Sequence, residues 1–194
     1  MTDSFTSAAR LALALTSASL PWLAGACGLD PVHQSEVDAL GPETPGVPQG
    51  PFHRAGQPCT VCHGAEGPAS QRFSIAGTVF AGVDRTAGVQ QAEILMVDAL
   101  GSSPPPGSVL TNCVGNFYVA PTLWNPAYPI RVAVSTASGS AMMIAHIGRD
   151  GSCASCHTDP PGLASPGHVY VATNATPAGC PVNPLAGDGK SVTP

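Results

Sequence analysis

Charge is scarce in this chain. Only 10% of its 194 residues are Asp, Glu, Lys or Arg, and the formal net charge is -5. No basic patch exists, which excludes the electrostatic footprint of a nucleic-acid-binding protein. Aromatic residues are scarce too, at 5%. The apolar core must then be small and built of Val, Ile, Leu and Ala, and such a core gains from covalent or cofactor staples. Long apolar runs are missing as well. The best one, LALALTSASLPWLAG from Leu11, is short and broken by Ser, Thr and Pro, so it does not read as a stable membrane span. What the chain has in plenty is 22 glycines and 21 prolines, about twice the usual share. That composition favours turns and strands over long helices.

Residues 1–26 read as an export signal. Arg10 precedes the apolar stretch, and Ala24-Gly25-Ala26 supplies small residues at a cut site directly before Cys27. This resembles a bacterial lipoprotein signal, which implies lipidation of Cys27. Leu23 lies four residues before that cysteine, where such signals usually place Leu at three. The alternative is plain secretion with Cys27 free. Gly28 in place of aspartate implies, by the same resemblance, an outer-membrane lipoprotein. The expected location is therefore exported, periplasmic or cell-surface.

Residues 27–51 read as a lipid-anchored, Pro-rich tether. Pro42, Pro45, Pro48 and Pro51 recur every third residue, the period of a polyproline II helix. Residues 52–180 form the expected domain, and 181–194 a loose tail. From Phe73 the pattern becomes one of strands: FSIAGTVF, AEILMVD, GNFYVA, PIRVAVS, AMMIAHI and HVYVAT, separated by GSSPPPGS and NPAYP. Short period-two runs with Gly/Pro punctuation predict a mainly β fold, a small antiparallel β-sandwich. AGTVF, AEILMVD, TNCVGNFYV and PIRVAVS are together similar to the prealbumin-like sandwiches related to the carboxypeptidase regulatory domain. Over about 65 residues this resemblance implies a scaffold without an activity.

Two pentapeptides carry the chemistry. Cys59-Thr-Val-Cys62-His63 and Cys153-Ala-Ser-Cys156-His157 both read C-x-x-C-H. In a c-type haem site, two thiols add to the porphyrin vinyl groups and the adjacent histidine ligates the iron. Rival readings fit less well. A zinc ribbon would use the two C-x-x-C pairs, but they lie too far apart in sequence and the histidines stay unexplained. A thioredoxin-like site needs a helix N-terminus after a strand, and the flanks GQP and DGS suit loops. At these ten residues the chain resembles the dihaem and multihaem c-type cytochromes. That implies two covalently bound c-type haems on loops, held by Cys59, Cys62, His63, Cys153, Cys156 and His157.

Four other histidines remain: His33, His53, His146 and His168. His53 lies six residues before Cys59, and His146 seven before Cys153. Each precedes its motif by a short Gly-containing loop, so His53 and His146 are the expected distal ligands. Either one can cap its own iron, cap the neighbouring one, or stand aside and leave a face open. His168 reads as a strand-edge residue, with replacement of His146 as distal ligand its alternative, and His33 as solvated. Met96 reads as core; Met142 and Met143 read as core, with sulfur ligation of an iron as the alternative. Cys113 and Cys180 are left over, and exported proteins tend to pair such cysteines. A Cys113–Cys180 disulfide is expected, two buried free thiols being the alternative.

The expected function is electron transfer without substrate chemistry. Its partners would be redox proteins or neighbouring cytochromes, with the membrane reached through the lipid. A haem enzyme or gas sensor with one open iron face is the second reading. A surface assembly of homo-oligomers carrying haem is the third. Asp150 and Asp159 flank the second motif and read as solvated.

Overall fold

A computed structural model of the chain describes residues 30–47, 49–83, 86–171 and Cys180. The expected signal segment, Cys27 and the tail 181–194 lie outside the described residues. Strands dominate, in two small antiparallel sheets. β1 (Ile75–Thr78) pairs with β3 (Asn116–Val119), running from Ile75↔Val119 to Thr78↔Asn116. β2 (Glu93–Val97) pairs with β4 (Arg131–Thr136), which pairs in turn with β5 (Gly139–Met142). The helices are short: α1 (Pro31–Ala39), α2 (Cys59–His63) and a 3-10 turn at Cys153–Ser155. None of the described helices is long and apolar enough to cross a membrane.

Both sheets feed one apolar cluster. Ile75, Phe117 and Val119 come from the first sheet, and Ile94, Met96 and Val134 from the second. Val109, Trp124 and Ile130 on the connections complete it. Fully burying a side chain such as Ile130 contributes about 1.5–3 kcal/mol, so this cluster holds the sheets to one another. The disulfide Cys113–Cys180 is formed, with the Cα atoms 5.1 Å apart.

β1 differs from its expected half-buried alternation. All four of its residues are buried, because one face meets the core and the other is covered by the two motif segments. A Cβ at Gly77 would stand 2.8 Å from Cys153 Sγ. On the same strand, Thr78 Oγ1 accepts from the Gly56 N–H at 2.8 Å and donates to Asn116 Oδ1 at 2.7 Å.

Three further expectations are corrected. Residues 31–39 form a helix where an extended spacer was expected. Asp30 caps it by accepting from the Val32 N–H at 2.9 Å, and Pro31 occupies the first turn, where its missing N–H costs nothing. AMMIAHI yields a strand only as far as Met142. Met142 and Ile144 are exposed, so they are not core. HVYVAT gives no described strand: Tyr170 makes a single parallel bridge to Phe80, and residues 172 and 173 lie outside the described residues.

Candidate cofactor site

The structure brings the two C-x-x-C-H motifs together against β1. The Ala76 N–H donates to the Gly151 carbonyl at 2.9 Å, next to the Ala76↔Ser152 bridge. Asp150 joins the motifs directly. Its Oδ1 accepts from Thr60 Oγ1 at 3.2 Å and from the Ser152 N–H at 2.7 Å. Asp150 is thus a linker, where solvation alone was expected.

The first motif is a helical turn, not a loop. Behind it, residues 64–72 fold back on the helix. Arg72 Nη1 donates to the carbonyls of Gly64 and Gly67, each at 2.7 Å. The Ala69 N–H donates to the Cys62 carbonyl at 3.0 Å. Gly67 is required there, because a Cβ would lie 2.1 Å from the Cys62 carbonyl oxygen. The fold-back sets the Gln71 carbonyl where Nδ1 of His63 donates to it at 2.9 Å. The His63 ring also stacks on Phe73 at 4.2 Å, and Phe73 on Tyr118 at 4.5 Å.

The second motif begins on the 3-10 turn and repeats the device with different parts. Ser165 Oγ accepts from the Thr158 N–H and donates to the Thr158 carbonyl, both at 2.8 Å. It also accepts from the Gly167 N–H at 3.1 Å. Nδ1 of His157 then donates to the Gly167 carbonyl at 2.9 Å. In both motifs Nδ1 is committed to a backbone carbonyl, which leaves Nε2 with its lone pair. That is the usual state of a metal-ligating histidine.

His53 lies beside His63. Their ring centres are 5.8 Å apart and the planes 28° from one another. Nδ1 of His53 is engaged by the Gly50 backbone, so with its proton on Nδ1 it too offers Nε2. Among the described residues His146 has no such ring neighbour. It is exposed, one residue before the Ile130↔Ile147 bridge. His168 stacks on Phe80 at 4.2 Å. His33 is not solvated: it is partly buried, and its Nε2 donates to the Val61 carbonyl at 2.8 Å.

Cys59, Cys62 and Cys153 are not tuned as nucleophiles. Burial pushes Cys59 up to about 11. Burial, with Cys59 and Asp150 adding to it, pushes Cys153 up to about 12. Burial also raises Cys62. Reactive cysteines of thioredoxin type need the opposite shift. Among the described residues no three or more of His, Cys, Asp and Glu converge as a metal-ion site, the arrangement a structural zinc requires. A haem iron takes at most two protein ligands, so the six motif residues fit that group without such a convergence. Thr60, Asp150, Gln71, Ser165 and Gly167 were missed as functional positions. The glycines and the serine in the loops after each motif were the available signal.

No family model matches the chain, and neither a curated protein nor a solved structure does.

Proposed function

We propose that this chain is an electron-transfer protein of the dihaem c-type cytochrome class. Its scaffold would be a small antiparallel β-sandwich of prealbumin-like type. The observation that carries the reading is the matched state of His63 and His157. Each closes a C-x-x-C-H, and each commits Nδ1 to a backbone carbonyl 2.9 Å away. Cys59, Cys62 and His63 would hold one haem; Cys153, Cys156 and His157 would hold the other. When bound, they supply one-electron chemistry between ferric and ferrous iron.

The chain's own part is positioning. β1 holds both motif segments on one strand, and Asp150 ties Thr60 to Ser152. His53 is the proposed second ligand to the iron of His63. Redox proteins or neighbouring cytochromes would be the partners. A lipid on Cys27 would hold the exported protein at the outer membrane.

The test is the haem count. The full chain is matured in a bacterium that attaches haem to exported proteins, and pyridine haemochrome is measured against protein. Two haems per chain support the reading, and none sinks it. The anchor is tested separately: incorporation of labelled fatty acid should vanish in Cys27→Ser.

A further inference from the structure

The stretch between Cys27 and the first motif reads in the sequence as a spacer. Residues 28–51 in a polyproline II helix would hold the domain off its anchor by about 75 Å. The fold leaves little of that length. Asp30 is already fixed: its carbonyl accepts from the Gln34 N–H at 2.8 Å and its carboxylate from the Val32 N–H at 2.9 Å. Only Gly28 and Leu29 separate it from Cys27. The two Cα atoms are therefore at most about 11 Å apart.

From Asp30 onward the arm is bonded to the first site and to the sheet beside it. The last four carbonyls of a helix have no partner within it. In α2 these belong to Thr60, Val61, Cys62 and His63. Three of them accept from the N–H groups of Gly64, Ala69 and Phe73, which follow the motif. The fourth, Val61, accepts from His33 Nε2 at 2.8 Å, so α1 completes the cap of the motif helix. Further along, Arg54 donates to Glu43 and to the carbonyls of Leu40 and Gly41. Asn116 on β3 donates to the His53 carbonyl at 3.0 Å, and Asn112 to the Pro51 carbonyl at 2.6 Å.

We infer that the first site is the membrane-side end of the protein, and that the redox partner it meets is held in or on the same membrane. A lipid on Cys27 keeps Asp30 within about 11 Å of the bilayer surface, and His33 ties that position to the Val61 turn. The hold is the lipid's own. α1 contains Glu36 and Asp38 and no Lys or Arg, so it offers no basic residue to anionic headgroups. This rests on the lipidated, dihaem reading and adds to it which site lies at the membrane and what kind of partner reaches it.

The test uses the haem-loaded, lipidated full chain in vesicles whose headgroups carry a fluorophore that haem quenches. Haem and labelled fatty acid are counted on the same sample. A twenty-residue Gly/Ser insertion after Gly28 touches none of the bonds above and adds about 25 Å of flexible span. It should cut the quenching at least twofold. C59S/C62S, which loses the first haem, should lose more quenching than C153S/C156S, which loses the second. A reductant confined to the bilayer by an alkyl chain should reduce the unaltered chain faster than the inserted one, whereas a soluble reductant should treat both alike. Quenching unchanged by the insertion, a loss in C153S/C156S as large as in C59S/C62S, or equal rates with the bilayer reductant would each overturn the inference and leave the dihaem reading intact. Absence of fatty acid would sink the anchored reading, and fewer than two haems the dihaem reading. Either takes the inference with it and is reported by its own count.

Discussion

The two motifs share five residue positions and one strand, yet they sit in different settings. Around Cys59–His63 the chain wraps twice. Arg54 Nε donates to Glu43 at 3.0 Å, and its Nη2 donates to the Gly41 carbonyl at 2.8 Å, which pins the arm after α1. His33 reaches across to Val61. Around Cys153–His157 the enclosure is mostly β1 and the self-bonded loop 158–167. The difference teaches that the shared Nδ1–carbonyl bond and the surroundings of each motif are set by separate parts of the chain. Both histidines hold Nδ1 on a backbone carbonyl, whereas among the described residues only the first has a second imidazole beside it. The largest test of this contrast removes the disulfide. Cys113–Cys180 closes a span of 67 residues that contains the second motif and not the first. By the loop-entropy relation its loss costs roughly 4 kcal/mol. C113S/C180S should unfold at lower denaturant, and haem attachment at Cys153 and Cys156 should fall more than at Cys59 and Cys62. Peptide mapping of the haem-bearing fragments would read this, and equal loss at both sites would break the contrast.

A pair of glycines separates the sites next. Gly77→Ala puts a methyl 2.8 Å from Cys153 Sγ and Cβ, whereas Gly67→Ala puts one 2.1 Å from the Cys62 carbonyl. Overpacking of this kind costs about 1–3 kcal/mol. G77A should depress haem attachment at the second motif, and G67A at the first. The same peptide map checks both, and a swapped or shared defect would show that β1 transmits strain between the sites.

These differences explain what was legible in the sequence. AEILMVD and PIRVAVS gave strands near their expected limits because their apolar runs match a sheet with a buried face: Ile94 and Met96 point in, Leu95 and Val97 out. The disulfide followed from cysteine count. The motifs were legible because their chemistry is local. The burial of both faces of β1 was not, since it depends on Cys153 returning from far along the chain to lie on Gly77. Nor was α1, because the proline period from Pro42 onward says nothing of residues 31–39, where Asp30 and Pro31 start a helix. His53 and His146 precede their motifs by similar loops and look alike in sequence. Only tertiary placement separates them, one beside His63 and the other in solvent.

The link between the sites is weaker. Asp150→Ala removes both the Thr60 contact and the Ser152 N–H acceptor, whereas Thr60→Val removes only the first. Hydrogen bonds to a charged group contribute about 1.5–3 kcal/mol each and ordinary ones about 0.5–1.5; solvent screening at this exposed pair favours the low end. D150A should therefore cost about 1–2 kcal/mol and T60V under about 1 by denaturant titration. A T60V loss as large as that of D150A would mean that the bridge between motifs outweighs the local cap. A pH titration of the haem-free protein sharpens the first site further. Burial holds His63 below its usual 6.5, partly offset by its bond to Gln71. The folded state then prefers the neutral ring, and the unfolded chain binds more protons between the two values. This part of the stability is complete above about pH 6.5 and is lost as the pH falls through the lower folded value. The slope should shrink in His63→Gln, and an unchanged slope would assign it elsewhere.

The smallest expected effect lies beside the second motif. Ser152 is 3% exposed, and its Oγ is buried with no hydrogen-bond partner among the described residues. Its backbone is fully used: the N–H donates to Asp150, and the carbonyl accepts from the Ser155 N–H at 3.2 Å. An unpaired buried hydroxyl costs free energy, so deleting it removes a penalty together with very little packing. Ser152→Ala should leave the haem-free protein unchanged or stabilise it by up to about 1 kcal/mol. In the haem-loaded protein the sign can reverse. If the hydroxyl finds a partner when the second site is filled, S152A should destabilise the loaded form while sparing the empty one. A difference in denaturation midpoint between the two forms, present for S152A and absent for a surface change such as Ser103→Ala, would place the hydroxyl in the second site. Equal behaviour in both forms would leave it a packing defect of the turn and return the contrast between the motifs to enclosure alone.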